Sequence, residues 1–334
     1  MRTSRNRQQV LPHGRPPETL LDMNELDVVI IGGGAAGLSA ALVLARARRR
    51  VAVVDDGRPR NAPAAHMHGF LGSDGLPPTS LLAAGRDEAK GYGAQLIPGR
   101  VARAVRSTHS AAEHPRFEAH LDDGTALHAR RILVTTGLHD EIPDIPGVRE
   151  RWGRDLLHCP YCHGFEVRDE PLGVLGGSPE AVDHALIVRQ WSPDVVFFPH
   201  TAVLEPDQRD RLTARGIGIV DGPVSRLVVE DDLLTGVELA SGEVVRRTAV
   251  FVRPRLVPHD GLLTGLGCAT GAQGWVTTDV TGLTTGPGVW AAGNAVNPRA
   301  QVITAAGEGS AAAIAINNDL VEDDTALALA RLPR

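Results

Sequence analysis

Three consecutive glycines near the start of an uncharged run constrain this chain more than any other feature. Residues 28 to 45 read VVIIGGGAAGLSAALVLA, a stretch long enough to be tested as a membrane-crossing helix. Gly32, Gly33 and Gly34 would make a poor helix interior, but they suit a strand-to-helix turn. The segment therefore reads as a strand over Val28 to Ile31, a turn over Gly32 to Gly34, a helix from Ala35 to about Arg48, and a strand over Val51 to Val54. Gly32, Gly34 and Gly37 fit the pattern G-x-G-x-x-G. Gly32 allows the tight turn, Gly34 lets backbone approach a pyrophosphate, and Gly37 lets helix pack closely on strand, with phosphate charge facing the helix N-terminus. Asp55 closes the second strand where a carboxylate binds a ribose hydroxyl. A glycine-rich turn without a ligand explains the glycines alone. Strand, turn, helix and acid in that order point to a dinucleotide.

At 334 residues the chain has room for two domains of ordinary size. A second strand-helix-strand pattern starts at LGVLGGSPEAVDHALIVRQWSPDVVFF, and the strand-like RRILVTTG (130 to 137) lies between the two. Residues 288 to 317 give a short strand, a glycine turn at Gly293 and an alanine-rich helix suited to a return to the first domain. The fold class is thus α/β. A net charge of -6 and 4% aromatic residues give nucleic acid neither attraction nor stacking surface. Nearly all positive charge is arginine, Lys90 being the one lysine, which reflects genome composition. Residues 1 to 23 are basic, proline-rich and without the apolar core of a secretory signal. They are expected to be disordered, with translation starting at Met1 or at Met23.

Cys159 and Cys162 stand in HCPYCHGFE, a string with several chemical meanings. C-x-x-C-H is the c-type haem attachment pattern, C-x-x-C is a redox pair, and two thiols with His158 or His163 can ligate zinc. A buried inert pair and a disulfide exchanging electrons with a flavin are further readings. The letters alone do not choose among them.

The order of motifs resembles the thioredoxin reductase branch of the pyridine nucleotide-disulfide oxidoreductases, over about residues 24 to 320. That family has an FAD glycine fingerprint, a T-G element, a C-x-x-C pair and an A-A-G-D element. Here they are Gly32/Gly34/Gly37, Thr136-Gly137, Cys159/Cys162 and Ala291-Ala292-Gly293-Asn294. The resemblance implies two Rossmann-like domains, the second inserted into the first. Residues 24–139 and 258–334 would form a discontinuous FAD-binding domain, and 140–257 an NAD(P)-binding-like domain carrying the cysteines. It extends the FAD site from Gly32, Gly34, Gly37 and Asp55 to Thr136, Gly137, Gly293, Asn294, Gln301 and Val302, and implies a cytoplasmic homodimer. Haem attachment needs export and zinc needs four ligands, whereas Cys268, the one other cysteine, is distant in sequence. The resemblance then makes Cys159–Cys162 a redox disulfide, with Cys162 facing the flavin and Cys159 exchanging with substrate. His163 stands where thioredoxin reductases usually have an aspartate, and an imidazole can shuttle a thiol proton near neutral pH. His158 is the alternative, and no metal is expected.

The second glycine motif departs from the family. Its G-x-G-x-x-A reads Gly176-Gly177-Ser178-Pro179-Glu180-Ala181, with Ser178 where a glycine should approach the pyrophosphate. Ser178 as N-cap and Pro179 at the first helical position make a helix start, but Glu180 competes with phosphate in the first turn. Pro199-His200-Thr201 replaces the arginines that hold a 2′-phosphate, FVRPRLVPHDG lacks the usual glycine, and Arg189 or Arg209 is the substitute cation. NAD(P)H binding is therefore doubtful. These departures resemble the dithiol oxidases of the gliotoxin and holomycin type, which carry C-x-x-C-H-G and pass electrons from small dithiols through FAD to dioxygen. Three functions follow: such an oxidase, an NAD(P)H-dependent reductase of a thioredoxin-like protein disulfide, or a flavin redox sensor that does not turn over. No nucleic-acid or membrane partner is expected.

Overall fold

The computed structural model describes residues 26–108 and 116–332. The expected disorder of residues 1 to 23 and the choice between Met1 and Met23 lie outside the described residues. The chain begins with β1 (Leu26–Ile31), α1 (Ala35–Arg46), β2 (Val51–Asp55), α2 (Pro78–Gly91), β3 (Gln95–Pro98), β4 (Val101–Arg106), β5 (Phe117–Leu121) and β6 (Ala126–Val134). All six residues of β1 are buried, as befits a parallel strand covered on both faces. β1 pairs in parallel with β2 and β6, and β17 (Val289–Ala291) returns from the far end of the chain to pair in parallel with β6. The sheet order is β3-β2-β1-β6-β5-β4 with β17 also on β6.

Two short strands carry the chain out of this sheet and back. β7 (Leu138–Glu141) and β16 (Arg255–Pro258) pair antiparallel. Between them lie α3 (Val148–Arg151), β8 (Leu156–Leu157), α4 (Pro160–His163), β9 (Leu172–Leu175), α5 (Ala181–Val188), β10 (Val195–Phe198), α6 (Pro206–Ala214), β11 (Gly218–Ile219), β12 (Val224–Glu230), β13 (Leu233–Leu239), β14 (Val244–Arg246) and β15 (Ala249–Val252). Five of these strands form a second sheet, β11-β10-β9-β15-β8, and β12-β13-β14 form a small antiparallel one. After β16 come α7 (Gly261–Gly265), β17 and α8 (Val302–Ala330). The architecture is two Rossmann-like units, with the second entered and left between β6 and β17.

α8 runs to Ala330, well past the residue 317 read from the sequence. It packs on α1 because both helices are lined with small residues, and a Cβ at Gly309 would collide with the Ala36 carbonyl. Arg130 ties it down further, its Nη2 reaching Asp323 at 2.6 Å and its Nη1 reaching Asp27 of β1 at 3.2 Å.

His184 of α5 is a buried polar side chain of the second unit. It is 4% exposed, neither ring nitrogen has a hydrogen-bond partner among the described residues, and Phe251 meets its ring edge-on. Burial pushes its pKa from 6.5 down to about 4, with the neighbouring His158 lowering it further. The folded state thus favours the neutral ring, whereas the unfolded chain takes up a proton near pH 6.5. Stability is complete above that pH and falls as pH drops toward 4, by about 3 kcal/mol from this residue. Urea unfolding of His184→Phe at pH 7 and pH 4 is expected to show a drop smaller by about that amount. An unchanged drop would assign the acid sensitivity to other groups.

Candidate active site

A cavity of about 1270 Å³ runs from the first glycine turn to the two cysteines. At one end, Gly32 has φ +108°, and a Cβ there would strike the Thr135 carbonyl. A Cβ at Gly37 would collide with the Gly32 carbonyl, so strand and helix meet as the fingerprint requires. Gly34 has no heavy atom within 4 Å of an added Cβ and lines the open cavity. Asp55 is fixed from two sides: its Oδ1 accepts the Gly33 amide at 3.0 Å and its Oδ2 accepts Arg86 Nη2 at 3.1 Å.

The returning chain completes this end. Thr136 donates its hydroxyl to the His259 carbonyl at 2.7 Å, and Gly137 follows at φ +70°. The Gly293 amide donates to Glu308 Oε2 at 2.8 Å. Asn294 donates its side-chain amide to the carbonyls of Asn297 and Ala300, at 2.9 and 3.0 Å, and its Oδ1 accepts Arg60 Nη1 at 3.3 Å. An aspartate could not make those two donations, which accounts for the departure from A-A-G-D. Gln301 is the N-cap residue of α8, Val302 begins it, and both line the cavity. These residues fit FAD: open space beside Gly34 at the N-terminus of α1 accommodates a pyrophosphate, and the cavity continues from there to the cysteines. Gly34→Val is expected to release the cofactor by filling that space. Retention of full flavin absorbance after gel filtration of the variant would contradict this placement.

At the other end, Cys159 and Cys162 form a disulfide across the single turn of α4, with Cα atoms 5.2 Å apart. Cys159 is the N-cap, Pro160 occupies the first turn, and the Gly164 amide closes it on the Pro160 carbonyl at 2.7 Å. Trp191 packs under that turn, 2.8 Å from where a Gly164 Cβ would lie. Both cysteines are half-buried and line the cavity. Gln301 Nε2 is 4.0 Å from Cys162 Sγ, so Cys162 faces the α8 end of the site. His163 and His158 line the same space. Burial holds the His163 imidazole below its ordinary pKa, opposed by the Glu166 carboxylate and reinforced by His68. Burial also lowers that of His158, with Arg60 adding to the effect. Cys268 lies elsewhere, buried with its sulfur 3.2 Å from Thr284 Oγ1. Among the described residues no group of three or more His, Cys, Asp or Glu is placed to hold a metal ion.

The second glycine turn differs from its reading in the sequence. α5 begins at Ala181 with Glu180 as the N-cap residue, rather than at Pro179 after Ser178. Ser178 Oγ is shut away from solvent without a partner, so it neither caps the helix nor reaches a phosphate. Glu180 instead faces Arg253 at 3.7 Å. His200, at φ +61°, accepts the Val224 amide on Nδ1 at 2.9 Å. Arg189 is bound to the carbonyls of Arg215 and Ser192, and Arg209 pairs with Asp221 through two contacts of 3.1 and 2.6 Å. The residues of this turn do not fit a nicotinamide dinucleotide.

Sequence reasoning missed Arg60 and His68. Both lie between β2 and α2 and line the same cavity as the cysteines. No local motif marks them, although the length of that connection was visible.

The sequence profile of the pyridine nucleotide-disulphide oxidoreductases matches residues 26–309. The chain belongs to that family. It is an FAD-dependent disulfide oxidoreductase of the thioredoxin reductase-like branch. Among solved structures it is similar to HlmI, with 61% identity, a TM-score of 0.90, and coverage of 91% of this chain and 95% of that one. The thioredoxin reductase sirT of Leptosphaeria maculans is 31% identical over 317 residues, 90% of this chain and 96% of that protein. A probable thioredoxin reductase of Arthroderma benhamiae is 32% identical over 173 residues, which span 52% of this chain and less than half, 43%, of that protein. No helix among the described residues is long and apolar enough to cross a membrane.

Proposed function

We propose that this flavoprotein is a dithiol oxidase: it closes a disulfide in a small dithiol and delivers the electrons to dioxygen. The observation that carries this reading is the second glycine turn, where Glu180 occupies the start of α5 and engages Arg253. A carboxylate there repels phosphate and takes the place a pyrophosphate needs. Electrons therefore enter through the cysteines.

A substrate thiolate attacks Cys159 Sγ, the Cys159–Cys162 bond breaks, and Cys162 leaves as thiolate. The second substrate thiol attacks the substrate sulfur of the mixed disulfide and expels Cys159, so the product departs as a cyclic disulfide. Two electrons and two protons have then left the substrate. His163 takes the first thiol proton on its imidazole, whose pKa burial holds below its ordinary value. Cys162 lies toward Gln301, and Gly32, Gly34, Gly37, Asp55, Thr136, Gly137, Gly293, Asn294, Gln301 and Val302 hold the cofactor. Bound FAD supplies the two-electron acceptor that regenerates the disulfide and gives hydrogen peroxide from dioxygen. A homodimer belongs to this reading, supported by Ile314, Val321 and Leu329, apolar and exposed along α8.

Aerobic turnover with a small dithiol is expected to produce one hydrogen peroxide per disulfide closed and to need no added nicotinamide. Disulfide formation without peroxide would overturn dioxygen as acceptor. Steady NADPH consumption on adding a protein disulfide would support the thioredoxin reductase alternative.

A further inference from the structure

Twenty-two residues, 56 to 77, connect β2 to α2. Connections in such units are usually short, and long ordered ones are commonly functional. This one is ordered by its own backbone. The Met67 amide donates to the Leu76 carbonyl and the Gly75 amide to that of Met67, both at 2.9 Å, and Met67 anchors the hairpin at 5% exposure. The loop then meets the second unit at three places. Arg60 grips Asp140 of β7 with two hydrogen bonds of 2.8 and 2.6 Å. Pro63 lies against Gly153, where an added Cβ would stand 2.8 Å from the proline ring. His68 sits between two carboxylates, its Nδ1 3.2 Å from Asp74 of its own hairpin and its Nε2 3.4 Å from Glu166. Gly153 and Glu166 bracket the disulfide along the chain, and the loop lines the same cavity as the disulfide.

We infer that this loop is a strap that sets substrate size: it admits small dithiols to Cys159 and excludes a dithiol carried on a folded protein. The inference rests on the dithiol oxidase reading. A small molecule reaches the half-buried sulfur through the space between loop and disulfide. A folded protein must displace the strap, because its own cysteines cannot reach Cys159 while Pro63 and His68 hold the loop against either side of the disulfide segment. One exposed contact such as His68 to Glu166 contributes little by itself. The restriction comes from the hairpin as a whole, with Arg60 and Pro63 fixing its base.

The test compares anaerobic reduction of the holoenzyme by dithiothreitol and by reduced thioredoxin in stopped flow. Two variants are used: Glu166→Gln, and a shortened loop in which residues 68 to 75 are replaced by Asn-Gly, a two-residue hairpin turn joining the already paired Met67 and Leu76. The readout is the ratio of the second-order rate constant of flavin reduction by thioredoxin to that by dithiothreitol, relative to wild type, which cancels the intrinsic reactivities of the two probes. The shortened loop is expected to raise this ratio by at least tenfold, and Glu166→Gln by a smaller amount in the same direction. An unchanged ratio in a folded, flavin-loaded shortened enzyme that dithiothreitol still reduces would overturn the strap alone. Should the shortened loop fail to load flavin, Pro63→Gly combined with Glu166→Gln, which releases the loop on both sides of the disulfide segment, takes its place, and an unchanged ratio there overturns the strap as well. Reduction by NADPH with neither dithiol active would overturn the oxidase reading and the strap together.

Discussion

Cys162→Ser is expected to cut dithiol turnover by at least about 10³-fold, the scale on which removal of an essential nucleophile acts, while leaving FAD bound. Cys159→Ser should lose turnover to the same degree, but with a different spectrum. Removing Cys159 frees Cys162 as a thiol on the side of the turn that faces Gln301, 4.0 Å away. That thiolate should give a broad long-wavelength charge-transfer absorbance with the oxidised flavin, and Cys162→Ser should show none. The reverse pattern would exchange the roles of the two cysteines. Bound flavin with neither band, together with unchanged turnover, would mean that the pair is inert. The outcome also bears on His163, whose role depends on Cys159 being the sulfur that substrate attacks.

Much of this site could be read from the sequence because its chemistry is local. Gly32, Gly34 and Gly37 act within one turn and one helix, and strand, turn and helix fall within a residue or two of where their pattern places them. The Cys159–Cys162 turn is largely local, since Pro160 and Gly164 close it, with Trp191 packed beneath. Its meaning was not local, and needed the order of motifs along the whole chain. Other features depended on contacts that no window of sequence contains. α5 starts at Ala181, and Glu180 before it faces Arg253, more than seventy residues further on. Ser178, an excellent N-cap in isolation, is turned into the fold instead. Asn294 stands where the family has an aspartate, and the two carbonyls that hold its amide come from residues whose placement no motif marks. The antiparallel β12–β14 and the strap carry no ligand motif, and the pairing of Arg60 with Asp140 spans eighty residues.

The electron donor separates the oxidase from the reductase. Ser178 in place of a glycine, Glu180 at the start of α5 and His200 committed to the Val224 amide each remove something a nicotinamide dinucleotide needs. Arg189 and Arg209 are held by Ser192, Arg215 and Asp221, and Arg253 faces Glu180. Losing charge-assisted contacts costs a few kcal/mol, and about 4 kcal/mol in total takes a micromolar affinity to the millimolar range. The deciding measurement is anaerobic titration of the purified flavoprotein, followed by flavin absorbance. Stoichiometric NADPH or NADH is expected to leave the flavin oxidised over minutes, excess small dithiol to bleach it through Cys159 and Cys162, and air to restore the yellow colour with release of hydrogen peroxide. Rapid bleaching by micromolar NADPH would contradict the oxidase and leave a thioredoxin-type reductase in its place.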